Sequence, residues 1–404
     1  MAAAPRILVL SLLFGLATST ASWAGTLEYE TQRLVFDGVE REVRVPRGLV
    51  FEVLATGLEH PRMATFAPNG DLLLGSRAGF VYRLPPPYTE PEVLVRLDDL
   101  PHSVVVRDGE LLIARTHGLY RAPYTPGQAT IRPEDVTLLA ALPGDGPHHK
   151  TRTLGVGPDG RVYVSLGMTG NCGDNFLDAS TPFERRRGGL TVLREDGGEP
   201  TLEPWAAGLR NPVGFAWQPG TGVMYATNNG PDHWGYEHPR EYFSRVTEGS
   251  FHGMPWFQFI DGKLTRDECI KSDPPRPVEE VETPVVTFAA HQAPVAVAFA
   301  SEGDLDERLT GDAIVALHGS WVRVETPADR RKPKLVAVRF EAGTATRVDE
   351  LVTGFQLENG KRWARPAGVA FGPDGALYVT SDRRPGALFR LRRASSDEAQ
   401  PPRE

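Results

Sequence analysis

Gly208-Leu209-Arg210-Asn211-Pro212-Val213-Gly214-Phe215-Ala216-Trp217 runs into a Gly-rich turn, is answered by Val223-Met224-Tyr225-Ala226-Thr227, and ends at Asn228-Asn229-Gly230-Pro231-Asp232. Pro212 opens a short apolar run and the turn returns the chain as a second β-rich run, so the stretch reads as a hairpin with Arg210 and Asn211 at its mouth. The same phrase recurs as His60-Pro61-Arg62-Met63-Ala64-Thr65-Phe66 before Asn69-Gly70, and as Pro101-His102-Ser103-Val104-Val105-Val106 before Asp108-Gly109. It returns as His149-Lys150-Thr151-Arg152-Thr153-Leu154 before Pro158-Asp159-Gly160, as His291-Gln292-Ala293-Pro294-Val295-Ala296-Val297 before Glu302-Gly303, and as Arg365-Pro366-Ala367-Gly368-Val369-Ala370 before Asp374-Gly375.

Six copies at irregular intervals of roughly 40 to 80 residues suit four-stranded units with variable loops. The expected fold is all-β, a six-bladed β-propeller of antiparallel blades. The first strand of each blade lines the central channel in that architecture, so the residues just before it converge at one mouth. His60, Arg62, His102, His148, His149, Lys150, Arg152, Arg210, Asn211, His291 and Arg365 are then neighbours, and the mouth is expected to be strongly basic, with no carboxylate among the six segments.

Composition is that of a large globular protein: 404 residues, 40% hydrophobic and 24% charged. Residues 1–24 carry Arg6 as their one charge, an apolar run from Ile7 to Ala17, and the small-x-small pattern Ser22-Trp23-Ala24 before Gly25. That is the pattern of a cleaved secretory signal, its apolar run being shorter than the roughly 20 residues of a spanning helix. Removing Arg6 takes the formal charge from −8 to −9, and an acidic body disfavours nucleic acid or anionic lipid as partners. With export, to a periplasmic or secreted location, the two cysteines Cys172 and Cys269 are expected to pair, tying two loops near the mouth.

The leading segment has two short strands, Leu34-Val35-Phe36 and Glu42-Val43-Arg44-Val45, around Asp37-Gly38. It is expected to give a strand to the last blade and so close the ring. Residues 25–393 form the propeller on this reading, and 394–404, rich in Ser, Asp, Glu, Pro and Arg, a disordered tail. The long insertion from Asp232 to Thr287 reads as a wall or lid; the charged stretch from Glu325 to Lys334 reads as a solvated loop.

Gly208-Leu209-Arg210-Asn211-Pro212 with Gly230-Pro231, His149 ten residues before Asp159, His318-Gly319-Ser320-Trp321 and Trp363-Ala364-Arg365-Pro366 together resemble the soluble quinoprotein sugar dehydrogenases, in particular their sorbosone dehydrogenase-like branch. The resemblance spans about Val53 to Leu391. It implies a propeller that uses pyrroloquinoline quinone and Ca2+ to oxidise a sugar, aldose or polyol. In that family the Arg-Asn pair and the last arginine contact the cofactor, which carries over to Arg210, Asn211 and Arg365; a Gly-Pro pair offers carbonyls to the metal, matching Gly230 and Pro231. Three departures stand out. The acidic cluster that the resemblance implies straight after Gly-Pro is replaced by Asp232-His233-Trp234-Gly235-Tyr236-Glu237, leaving part of its work to Glu241. Trp363 occupies a position where the family often has a second arginine, and the family's cofactor lysine has no match around His318 to Arg323, leaving Arg323 as the substitute.

The chemistry asks for the same residue types. Arginine offers a permanently charged fork suited to carboxylates, calcium accepts backbone carbonyls readily, and hydroxyl oxidation by hydride transfer needs a proton acceptor near neutral pKa, for which His149 is the candidate. No haem motif is present, so electrons must pass to an external acceptor, a cytochrome or a quinone. Two other readings share the fold: a ligand-binding propeller without catalysis, and a calcium-dependent lactonase, which would need carboxylates converging on a metal.

Overall fold

The computed structural model describes residues 26–322, 326 and 329–398. Six four-stranded antiparallel sheets follow one another along the chain as blades of a propeller. Their inner strands are Pro61–Phe66, Ser103–Arg107, Leu154–Val156, Phe215–Trp217, Pro294–Phe299 and Pro366–Phe371. They are the six repeated phrases found in the sequence. The six strands surround a channel cavity of about 280 Å³.

Inner strands approach closely where a side chain is missing. A Cβ on Gly368 in blade 6 would stand 2.2 Å from the Arg62 carbonyl of blade 1, and one on Gly214 in blade 4 would stand 2.7 Å from Ala296 Cα of blade 5. Between blades the second strands pack as near-continuous apolar runs, such as Leu72–Ser76, Val162–Leu166 and Ala313–Leu317, each buried throughout. The Pro-Asp-Gly turns are braced alike in blades 3 and 6: Tyr163 donates its hydroxyl to Asp159 at 2.8 Å and Tyr378 to Asp374 at 3.0 Å.

The ring closes differently from the expectation. The fourth strand of blade 6 is Leu49–Leu58, paired with Gly386–Arg393. The segment before it folds on itself, Tyr29–Phe36 against Val39–Pro46, because Asp37 and Gly38 both take the positive φ of a tight hairpin turn. Phe36, Val43 and Val45 then pack over blades 5 and 6 against Trp363, Phe355 and Phe389. The secretory signal read over residues 1–24 and the end of the tail, 399–404, lie outside the described residues; before that end, Glu398 pairs with Arg392 at 2.8 Å. No helix among the described residues is long and apolar enough to cross a membrane.

Candidate active site

The residues ahead of the inner strands meet at one mouth, and hydrogen bonds tie them into a closed circuit through all six blades. Arg62 of blade 1 donates Nη1 to Asp382 of blade 6 at 2.7 Å and Nε to His102 Nε2 of blade 2 at 3.1 Å. An arginine can only donate, so His102 accepts at Nε2 and its Nδ1–H goes to the Arg152 carbonyl of blade 3 at 3.0 Å. Arg152 donates to the His149 carbonyl at 2.6 Å, and His149 Nδ1–H donates to the Met168 carbonyl at 2.6 Å. The Met168 amide reaches the Arg210 carbonyl of blade 4 at 2.8 Å. Arg210 Nη2 donates to Asp232 at 3.3 Å, and Asp232 faces His291 Nδ1 of blade 5 at 3.4 Å. His318 donates its amide to the Ala293 carbonyl and pairs through Nε2 with Asp382 at 2.7 Å, which completes the ring.

His60, His149 and His291 each precede the inner strand of alternate blades, and all three have left-handed backbones, with φ of 44°, 50° and 59°. Non-glycine residues adopt that region at a cost, and such strain collects at functional sites.

His149 keeps one ring nitrogen without a partner among the described residues. Its Nδ1–H is committed to Met168, so Nε2 is unprotonated. Burial, together with the Arg210 charge, pushes its pKa down to about 3. Asn211 is its neighbour: a Cβ on Gly167 would lie 2.6 Å from His149 Cβ and 2.8 Å from Asn211 Oδ1, so both side chains rest on a position without one. Arg210 is buried, donates to Asn171 Oδ1 at 2.6 Å and to the Asn229 carbonyl at 3.2 Å, and leaves Nε without a partner.

Gly230 and Pro231 are buried beside Arg210, and their carbonyls accept no hydrogen bond among the described residues. The fully buried Glu241 accepts the Gly230 amide at 2.5 Å; burial raises its pKa to about 7. Two buried carbonyls without donors fit a hard cation, and the donor set therefore suits calcium.

On the opposite side Arg365 donates Nε and Nη2 to the carbonyls of His318 and Gly319 at 2.9 and 2.8 Å. Arg362 donates Nη1 to the next carbonyl, Ser320, at 2.6 Å. The two guanidiniums thus lie side by side along the His318–Ser320 segment; neither forms an ion pair among the described residues, and the Asp382 charge reaches Arg365 only from beyond contact. Burial pushes Arg365 down to about 10, and burial with the Arg365 charge does the same to Arg362. Such cations invite an anionic ligand.

The mouth departs from the expectation in three ways. It is not uniformly basic: Asp232, Glu241 and Asp382 reach it, because each second strand returns to the mouth that its inner strand leaves, and residues after Met224–Asn228 and Leu377–Ser381 arrive there too. The signal was legible as the same repeat read one strand later. Burial opposes the charge of Asp382, but His318 and Arg62 overcome it and hold the carboxyl far below its usual range. Second, Trp363 belongs to the aromatic core and donates to the Gly354 carbonyl at 2.8 Å; the additional cation is Arg362, one residue earlier. Third, the charged stretch before Lys334 is not merely solvated. Arg331 lies over the Tyr236 ring at 4.5 Å, pairs with Glu237 at 2.7 Å, and Tyr236 stacks on His291 at 5.5 Å, so the two insertions interlock as a wall. Arg323 lies outside the described residues.

His60 joins the circuit at the Asp382 carbonyl, at 3.2 Å. His148 and Lys150 are exposed at the rim. Cys172 and Cys269 form a disulfide with Cα atoms 5.6 Å apart, joining the blade 3 loop to the long insertion. Asp267 organises that insertion, accepting from Trp234 Nε1 at 2.9 Å, Gln258 at 3.0 Å and the Cys269 amide at 3.1 Å.

Comparison with known proteins agrees with this architecture. An uncharacterized protein of Borreliella burgdorferi is 23% identical over 354 residues, covering 84% of this chain and 88% of that one. The holo pyranose dehydrogenase PQQ domain from Coprinopsis cinerea superposes with a TM-score of 0.70 at 20% identity, covering 87% of this chain and 97% of that one. The apo soluble aldose sugar dehydrogenase of Escherichia coli does so with a TM-score of 0.61 at 17% identity, covering 86% and 100%. At these identities the structural likeness speaks for the fold. Residues 119–390 match the glucose/sorbosone dehydrogenase family over two thirds of the sequence, and the chain belongs to that family.

Proposed function

We propose that this protein is an exported quinoprotein dehydrogenase that oxidises a sugar, aldose or polyol, with pyrroloquinoline quinone and calcium at the propeller mouth. The observation that carries the reading is the pair Arg362 and Arg365, guanidiniums that form no ion pair among the described residues, across the mouth from a neutral imidazole. When bound, the quinone supplies the hydride acceptor and calcium supplies Lewis-acid polarisation of its carbonyl.

The chain's own residues do the rest. Arg210, Asn211, Arg362 and Arg365 bind and orient the carboxylate-bearing cofactor, and the Gly230 and Pro231 carbonyls hold the metal. His149 Nε2 takes the substrate hydroxyl proton, while its Nδ1–H bond to Met168 fixes ring and tautomer. The low basicity of His149 comes from burial and from Arg210; an anion neutralising Arg210 lifts the second cause and brings the imidazole nearer the range a base needs.

Arg362 weakens the binding-only reading, since the cation missing at position 363 is made good beside it. Two of the three mouth carboxylates that a lactonase would spend on metal are ion-paired, Asp382 with Arg62 and His318 and Asp232 with Arg210 and His291, and the third, Glu241, accepts the Gly230 amide. Export rests on the signal read over residues 1–24 and agrees with the disulfide; N-terminal sequencing of the mature protein should begin at Gly25. Dye reduction by protein reconstituted with quinone and calcium, across a panel of aldoses and polyols, tests the activity. Turnover with none of them would leave the reading without support.

A further inference from the structure

Beneath the loop that carries His149, two guanidiniums are sealed from solvent and form no ion pair among the described residues. Arg152 is 0% exposed and Arg187 1%. Both grip the same short segment, Arg152 through Nη2 to the Pro143 carbonyl at 3.2 Å and Arg187 through Nη2 to the Asp145 carbonyl. Three donors are left over: Arg152 Nε, and Arg187 Nε and Nη1.

The carboxylates that could balance them are turned elsewhere. Asp99 is held by His117, through Nδ1 at 2.8 Å and through the backbone amide at 3.0 Å. The Asp145 side chain is fully exposed, 3.7 Å from His117 Nε2 on the outside of the loop. An arginine in a protein does not deprotonate. Burial works against the charge of both, the Arg187 charge adds to it at Arg152, and the more distant Asp99 and Asp145 offset only part of this; two such buried cations are too costly to leave without a closer partner. A buried water would satisfy an N–H but not the charge.

We propose that Arg152 and Arg187 together hold a small monovalent inorganic anion of the halide class. A small ion asks for the least room between two side chains that are both sealed from solvent. Arg152 also donates to the His149 and Thr151 carbonyls, so the anion braces the loop from Pro143 to His149 from below. The assignment is independent of the cofactor at the mouth.

Two measurements on the full chain test it. Crystals grown in sodium bromide should give an anomalous peak within hydrogen-bonding reach of Arg152 Nε and Arg187 Nη1. In solution, replacing gluconate with chloride at constant ionic strength should raise Tm saturably, by about 3 °C at 100 times the dissociation constant, and Arg187→Met should abolish the response. Absence of the bromide peak from wild-type crystals overturns the proposal even if the variant fails to fold. So does a Tm indifferent to chloride, or an undiminished response in the variant.

Discussion

Gly167→Ala reports on the contact between the proposed base and its neighbour. The added Cβ would sit 2.6 Å from His149 Cβ and 2.8 Å from Asn211 Oδ1, against 3.4–4 Å for ordinary contact. One or both side chains must therefore retreat by roughly 0.6–0.8 Å. His149 cannot simply rotate away, because Nδ1–H is bonded to Met168 and its carbonyl is held by Arg152. Misplacing a proton acceptor by about 1 Å can cost about 10²-fold in rate, so turnover at saturating quinone, calcium and sugar should fall about 10- to 100-fold. Overpacking should lower stability by about 1–3 kcal/mol. Gly170→Ala is the control on the same loop, since its added Cβ meets nothing within 4 Å, and it should match the wild type. Steady-state dye reduction with a parallel melting curve measures both quantities. Gly167→Ala within twofold of wild type, or Gly170→Ala equally impaired, would refute the proposed placement of His149 and Asn211.

Three further outcomes are expected. Asp382→Asn removes the charge that Arg62 and His318 share at 2.7 Å each; breaking such a buried pair costs about 3–5 kcal/mol, or about 5 °C in Tm for about 370 residues, and a change under 1 °C in a melting curve would contradict the circuit. His149→Ala should keep quinone binding and lose turnover about 10²- to 10⁴-fold, whereas Arg210→Ala should weaken quinone affinity with less effect at saturating cofactor; titration calorimetry and turnover separate the two. His149 and His318 have folded pKa values near 3 and 4 against an ordinary 6.5, so the unfolded chain binds more protons. Their contribution is complete above about pH 6.5 and is lost as pH falls towards 3. Glu241, raised to about 7, acts oppositely between 4.5 and 7, so Glu241→Gln should make the decline in Tm from pH 7 to pH 4 steeper than wild type.

The blade count and the inner strands were legible because the repeated phrase marks the one place where six strands meet. Polar residues ahead of an apolar run, then a Gly turn, fix both the hairpin and its mouth. What escaped was carried by residues outside that phrase. Asp382 follows a second strand, and the repeat shows it only when it is read one strand later than the phrase that marks the mouth. Arg362 is adjacent to the expected position, but the strand register turns Trp363 into the aromatic core and leaves its neighbour for the mouth. The closing strand Leu49–Leu58 was overlooked because the preceding hairpin carried the stronger turn signal. The buried pair Arg152 and Arg187 depends on a loop folding back over both, which residue types alone do not announce.

Equilibrium titration of the purified protein with pyrroloquinoline quinone, with and without calcium, tests the central claim most directly. The account predicts saturable 1:1 binding that requires calcium and weakens by roughly tenfold or more in Arg362→Met and Arg365→Met, each of which removes a charge-assisted contact. No binding by the wild-type protein in the presence of calcium, or binding indifferent to both arginines, would contradict it.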